Sequence, residues 1–161
     1  MIVNRIEPCS LVNGDGCRMV IVFAGCSLGC KGCFSKELQS FKAGKKARAD
    51  LIALEMAKEV NDTKMLDGVT LSGGNPQEQP DLAGFLKVLR KAMRKTATIW
   101  MWSGFTWEEI QANKPFKKHL EFIDVVISGR FEEDKYIEHE YYGSSNQEVW
   151  RKIEKEWVKD E

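Results

Sequence analysis

The spacing of apolar residues changes period along the chain. Arg18-Met19-Val20-Ile21-Val22-Phe23 is a continuous apolar run, rich in β-branched residues and closed by Ala24-Gly25, and it reads as a buried strand. From Asp50 to Val60 the period lengthens: Leu51, Leu54, Ala57 and Lys58 recur at helical spacing, with Asp50 as the expected N-cap. Val69-Thr70-Leu71 returns to a short strand, closed by Ser72-Gly73-Gly74. Pro80-Asp81 opens a helix with Leu82, Phe85, Leu86 and Leu89 on one face. Thr98-Ile99-Trp100-Met101-Trp102 is a third strand, ending in Ser103-Gly104, and Thr106-Trp107-Glu108-Glu109-Ile110 begins a short helix. Ile123-Asp124-Val125-Val126-Ile127 is a fourth strand, ending in Ser128-Gly129-Arg130. Phe131 to Gln147 reads as a long loop, and Glu148 to Val158 as a closing amphipathic helix.

The order β-α-β-α predicts an α/β fold with a mainly parallel sheet and right-handed crossovers. The first strand ends in a cysteine-rich loop and the next three end in Ser-Gly. Such loops gather at the carboxyl ends of parallel strands, where α/β sheets and barrels place their sites. A full eightfold barrel takes about 250 residues. The 161 residues here predict a partial, open (β/α) barrel, expected as one domain over residues 1–161.

Composition narrows the partners. Lys+Arg and Asp+Glu are equal at 24 each, so no polyanion footprint is present and nucleic acid is not an expected partner. The apolar stretch Met19–Ala24 is too short to span a bilayer, and the start from Met1 lacks a charged head followed by a long apolar run. A cytoplasmic protein with no membrane partner is therefore expected. Of five cysteines, three crowd into Cys26-Ser27-Leu28-Gly29-Cys30-Lys31-Gly32-Cys33, a C-x3-C-x2-C. In a reducing compartment that cluster favours metal over disulfides.

Three adjacent soft thiolates select iron–sulphur, zinc or copper(I). A closed zinc site needs a fourth ligand. Cys9 and Cys17 lie just upstream, so counting ligands leaves zinc open, and with it a non-enzymatic zinc-binding interaction module. A 4Fe–4S cluster held by three thiolates keeps one iron free for a substrate. Gly25, Gly29 and Gly32 keep the loop small enough to wrap a cluster. Cys9 and Cys17 fall outside the motif and read as ordinary thiols.

The C-x3-C-x2-C after a first strand resembles the radical S-adenosylmethionine superfamily. Val12-Asn13-Gly14-Asp15-Gly16-Cys17-Arg18, Gly25-Cys26 through Cys33-Phe34 and Leu71-Ser72-Gly73-Gly74-Asn75-Pro76 resemble its glycyl-radical-enzyme activases. Ile99 through Glu109, Ser128-Gly129-Arg130-Phe131-Glu132 and Gly143-Ser144-Ser145-Asn146-Gln147 are similar to the group that activates anaerobic ribonucleoside-triphosphate reductases. The resemblance implies a radical SAM fold and one 4Fe–4S cluster on Cys26, Cys30 and Cys33. It implies S-adenosyl-L-methionine bound by Gly32, Cys33, Phe34, Gly73, Gly74 and Asn75, with the Gly73-Gly74-Asn75 loop receiving the amino group. The implied activity is reductive cleavage of that cofactor to a 5′-deoxyadenosyl radical, which takes a hydrogen from a glycine of the reductase. Flavodoxin or ferredoxin is the implied electron donor. An activase of a formate-lyase type enzyme is the neighbouring alternative.

Three positions depart from the family, one of them Ser35, which stands where Asn is frequent. Asn75 stands where an acid is common; it keeps an acceptor oxygen but loses the charge, so Asn75→Asp is expected to tighten cofactor binding. Phe34 stands where Tyr is usual. A side chain at Gly74 is expected to block the cofactor while sparing the cluster. Trp100, Trp102 and Trp107 read as an aromatic knot around the third strand, with Trp100 and Trp102 on one face. Ser103 could reach a ribose, and Arg130 the methionine carboxylate, the partner or a solvated acid. His119 and His139 read as structural or surface residues, and the Lys/Glu-rich tail from Arg151 as a solvated helix face.

Overall fold

A computed structural model describes residues 1–160. In chain order the elements are β1 (Ile2–Ser10), β2 (Cys17–Phe23), β3 (Lys45–Lys46), α1 (Ala49–Asp62), β4 (Leu66–Gly73), α2 (Leu82–Ala92), β5 (Thr98–Ser103), α3 (Trp107–Ala112), α4 (Lys114–His119), β6 (Val125–Ser128), β7 (Glu148–Ile153) and β8 (Glu156–Lys159). The strands form one eight-stranded sheet in the order β3-β1-β2-β4-β5-β6-β7-β8. Its centre, β2-β4-β5-β6, is parallel. Antiparallel strands flank both sides. β3 and β8 are free edges, so the sheet is an open partial barrel rather than a closed one.

Alternation along the parallel strands separates two faces. Ile21, Phe23, Val69, Leu71, Ile99, Met101 and Val126 point outward and are buried under the helices. α2 brings Leu82, Phe85, Leu86 and Leu89 to that layer, all nearly or fully buried. Each such side chain contributes about 2 kcal/mol by leaving water. The inner face carries Val20, Val22, Trp100, Val125, Ile127 and Val149. Among the described residues the only helical element packed on it is a 3-10 turn, Lys36–Gln39, through Leu38 on Val20 and Val22.

Arg18 stoppers the amino end of the inner face. It is fully buried. Its guanidinium donates to Thr70 Oγ1 at 2.7 Å, to the carbonyls of Val69 and Thr98 at 2.9 Å, and to Thr98 Oγ1 at 3.0 Å. It also lies over the Trp100 ring at 5.2 Å. Burial lowers its pKa to about 10, still charged at neutral pH, with Asp15, Asp67 and Asp124 opposing the shift.

Several expectations need correction. Glu148 to Val158 is not a helix but the β7–β8 hairpin, turning at Glu154 in the left-handed region. Val149 faces inward while Trp150 packs on Trp107, a period of two that the dense Lys and Glu residues disguise. The charged tail from Arg151 is therefore strand, not a helix face. α1 starts at Ala49 with Arg48 as N-cap, and Asp50 sits inside its first turn. Trp100 and Trp102 do stack on one face, 6.0 Å apart. Trp107 belongs to the other face, against Trp150 at 4.3 Å and Trp157 at 5.3 Å. Cys9 and Cys17 are not separate thiols: they form a disulfide between β1 and β2, with Cα atoms 5.8 Å apart. The hairpin register, which pairs Ser10 with Arg18, brings them together.

Candidate metal and cofactor site

Above the carboxyl ends of the parallel strands lies a cavity of about 720 Å³. Its floor is Ser72 and Gly73 at the end of β4 with Gly74 just beyond, and Trp102 and Ser103 at the end of β5 with Gly104 just beyond. One wall is the loop after β2, contributing Cys26, Leu28, Cys30, Cys33 and Phe34. The opposite wall is the 131–147 loop, contributing Phe131 and the run from Tyr136 to Gly143.

The three cysteines are free and half-buried. Their loop is fixed at both ends. Gly25 N–H donates to the Leu38 carbonyl at 2.8 Å and Cys26 N–H to the Gln39 carbonyl at 3.0 Å. Gly29 and Gly32 take positive φ of 61° and 70°, conformations that turn the chain sharply between the thiols. Among the described residues no three His, Cys, Asp or Glu side chains are gathered around a single ion. A cubane cluster asks for one thiolate at each of three corners, and three thiols on one glycine-rich loop fit that demand. Burial pushes the Cys26 thiol up, and the nearby Glu78 carboxylate adds to the rise, so ligation must draw off its proton.

The glycine loop lies directly against this wall. Gly74 N–H donates to the Phe23 carbonyl and Asn75 N–H to the Gly25 carbonyl, both at 2.9 Å. A Cβ at Gly74 would stand 2.4 Å from the Gly25 oxygen and 2.8 Å from the Leu38 oxygen. That corrects the expectation for Gly74: a side chain there strikes the backbone of the cysteine loop itself, so cluster and cofactor contacts would suffer together. Asn75 is fully buried and stands outside the cavity lining, with Oδ1 unpartnered.

The remaining candidates sort by position. Phe34 lines the cavity, its ring 5.0 Å from Phe131 and 6.3 Å from Tyr136. Gly32 lies beside Glu133, outside the lining. Ser103 lines the cavity, but its Oγ accepts from Phe105 N–H at 3.2 Å. Arg130 is not part of the cavity: both terminal nitrogens donate to Glu109, at 2.8 and 3.0 Å. Arg130 in turn holds the Glu109 carboxyl below its ordinary pKa, and Glu109 closes a capping box with Thr106 at the start of α3. His119 is buried against Gln77 Oε1 at 2.6 Å, a structural role. His139 lies on the cavity wall, stacked on Tyr142 at 3.8 Å. Sequence reasoning missed Tyr141 and Tyr142, which lie between the two motifs of their loop, and Glu78, whose carboxylate accepts from Ser27 N–H and Asn75 Nδ2.

Residues 12–150 match the 4Fe–4S single cluster domain family. The chain belongs to that family. A 4Fe–4S cluster is accordingly its cofactor, and Cys26, Cys30 and Cys33 are the free thiols on hand to hold one. Over 148 residues, 89% of this chain and 93% of the relative, it is 33% identical to the anaerobic ribonucleoside-triphosphate reductase-activating protein of Pasteurella multocida. The protein of that name from Enterobacteria phage T4 is 29% identical over 160 residues, 98% of each chain. That from Escherichia coli K12 is 29% identical over 153 residues, 91% of this chain and 96% of its own. The 4Fe–4S family span begins at the β1–β2 turn and ends within β7, so it takes in the whole cavity. No helix among the described residues is long and apolar enough to cross a membrane.

Proposed function

We propose that the chain is an iron–sulphur activase that cleaves S-adenosylmethionine and installs a glycyl radical on an anaerobic ribonucleoside-triphosphate reductase. The observation that carries the reading is the meeting, in one cavity, of three free cysteines and a glycine loop at the carboxyl ends of parallel strands. The names of relatives matched over nearly their full length supply the partner. Cys26, Cys30 and Cys33 would hold the cluster, and the Gly73-Gly74-Asn75 loop, with Cys33 and Phe34, would hold the cofactor. Gly32 shapes the cluster loop from outside the cavity. When bound, the reduced cluster supplies one electron to the sulphonium, splitting it into methionine and a 5′-deoxyadenosyl radical able to take a glycine Cα hydrogen.

The chain's own contribution is placement. Trp102 Nε1–H donates to the Tyr141 carbonyl at 2.8 Å, holding the 131–147 wall against β5. Phe34, 72% exposed, meets Phe131 edge to face and Tyr136 tilted, so the three rings form an apolar rim at the cavity mouth. The open side of the half-barrel admits a macromolecular loop, and proximity of its glycine to the bound cofactor replaces a bimolecular encounter. A small one-electron protein of the flavodoxin or ferredoxin type is the reductant that suits this chemistry.

The test is anaerobic mixing of reconstituted protein with S-adenosylmethionine, a reductant and the reductase, followed by electron paramagnetic resonance. A glycyl doublet that vanishes when the reductase's radical glycine is replaced by alanine is expected. A doublet on a pyruvate formate-lyase and none on a ribonucleotide reductase would overturn the partner while leaving the radical chemistry in place.

A further inference from the structure

The chain has no net charge, yet its charges are sorted around the cysteine loop. Glu138 and Glu140 line the cavity, and among the described residues no lysine or arginine does. Outside the cavity the sign reverses. Between Lys36 and Arg48 the chain carries five basic residues against one acid, Glu37. Arg48 pairs with Asp50 at 2.7 Å. Lys36, Lys42, Lys45 and Lys46 are exposed and have no ion-pair partner among the described residues. This segment is bound to the cysteine loop: the Leu38 and Gln39 carbonyls accept from Gly25 and Cys26 N–H at 2.8 and 3.0 Å. β3 then carries Lys45 and Lys46 along the free edge of the sheet, paired with Val3 and Ile2 of β1. Between these lysines in sequence stands Phe41, a large apolar side chain left 45% exposed. A Cβ on Gly25 would stand 2.3 Å from the Phe41 ring, so the ring lies flush on the residue that precedes Cys26. Neither Phe41 nor the four lysines line the cavity.

An exposed aromatic ring with charged neighbours has the make-up of a protein-docking surface, an apolar anchor inside a polar rim. Its sign selects an acidic partner. Lysines on a free strand edge also guard against edge-to-edge pairing, which accounts for Lys45 and Lys46 but not for Lys36, Lys42 or the exposed ring. Resting on the function proposed above, we infer that Phe41 with Lys36, Lys42, Lys45 and Lys46 is the docking surface for an acidic one-electron carrier protein. The reduced carrier is oxidised by one electron and the cluster is reduced by one; no bond breaks and no proton moves. A carrier seated on Phe41 meets the chain one residue from Cys26. It does so outside the cavity, so the mouth stays open to the glycine loop of the reductase. Charge keeps the two partners apart: the glutamates of the cavity wall repel an acidic carrier, and the lysines draw it to its own face.

The experiment uses anaerobically reconstituted full-length protein and two acidic carriers, a flavodoxin and a 2Fe–2S ferredoxin. Carrier binding is read by fluorescence anisotropy, and cluster reduction by stopped-flow bleaching of its visible absorbance. Photoreduced 5-deazariboflavin serves as a small uncharged reductant that needs no docking. Wild type is compared with Lys42→Glu/Lys45→Glu and with Lys87→Glu/Lys91→Glu on α2, which changes the net charge equally. At low salt the Lys42/Lys45 variant is expected to bind at least one carrier about tenfold more weakly and to be reduced by it about tenfold more slowly. The difference should shrink as salt rises. Iron content, the deazariboflavin rate and the whole α2 variant should stay within about twofold of wild type. Absence of binding by either carrier to wild type, equal weakening in the α2 variant, or a matching fall in the deazariboflavin rate would each overturn the inference. So would a Lys42/Lys45 variant that keeps carrier binding but loses binding to the reductase or to a short DNA duplex. A wild type that takes electrons from a carrier but never cleaves S-adenosylmethionine would overturn the proposed function and leave the docking surface standing.

Discussion

Cys26, Cys30 and Cys33 share one loop, and in the proposed assignment each would serve a separate corner of the cluster, so no one of them would stand in for another. Single Cys→Ala changes at the three should each abolish the brown iron–sulphur absorbance after anaerobic reconstitution. Cys9→Ala and Cys17→Ala should keep it, because their disulfide lies between β1 and β2, outside the cavity lining. His119 gives a second residue-scale outcome. Burial lowers its pKa to about 4, from an unfolded value near 6.5. The unfolded chain therefore binds the extra proton first, and stability falls as pH drops through that window, with no contribution above it. At pH 5 the linkage amounts to about 2 kcal/mol. Urea denaturation at pH 7 and pH 5 should show wild type losing about that much more than His119→Gln. Legibility at this scale followed locality. Cysteine spacing is written in eight consecutive residues. Glu78, by contrast, is one acid among many until a turn brings it against Ser27 and Asn75, more than fifty positions and three positions away.

Elements place these residues by close backbone contact, and glycine is what permits it. Gly73 has a positive φ of 108°, and a Cβ there would stand 2.3 Å from the Phe23 carbonyl oxygen. With Gly74, it lets the end of β4 lie flat against the end of β2 and the cysteine loop. Gly74→Ala should therefore lower iron retention and S-adenosylmethionine binding together. Iron and sulphide assays beside equilibrium dialysis would check this, and full iron with lost binding would mean that the glycine serves the cofactor alone. The parallel strands and α2 were legible because their apolar periods are long and undiluted. The β7–β8 hairpin was not, since Arg151, Lys152, Glu154, Lys155 and Glu156 resemble an exposed helix as readily as a two-residue turn. Its strand character comes from tertiary packing: Trp107 on α3 is flanked by Trp150 and Trp157 from the two arms. β1 escaped for a related reason, being an exposed strand with few inward residues. Local propensity is weak where a strand's identity depends on what it packs against.

At the scale of the molecule, the open sheet is drawn together by side chains where strand pairing stops. Asp15, in the β1–β2 turn, accepts from the Tyr141 hydroxyl at 2.5 Å and from Arg151 at 2.9 Å. Arg151 belongs to β7, at the far side of the sheet, and lies over the Trp100 ring at 4.9 Å on the way. One carboxylate thus ties the turn after β1, the wall of the cavity and the last hairpin. The contacts are partly exposed, so each contributes modestly, about 1 kcal/mol or less. Their effect is to hold the cavity wall in place. The hydrogen bond to Asp15 raises the Tyr141 pKa to about 12, from an ordinary value near 10. The folded chain keeps that proton longer than the unfolded one. The contribution is complete below pH 10 and is lost as pH rises toward 12. Asp15→Asn removes the charge while leaving a hydrogen-bonding side chain of similar size. Its Tyr141 should ionise closer to pH 10 in a spectrophotometric titration, read against a Tyr141→Phe control. Amide hydrogens from 137 to 143 should exchange faster, while those of β4 and β5 stay protected. If exchange in the wall is unchanged while Tyr141 titrates earlier, the carboxylate sets only the tyrosine's acidity, and the wall is held by the Trp102–Tyr141 bond alone.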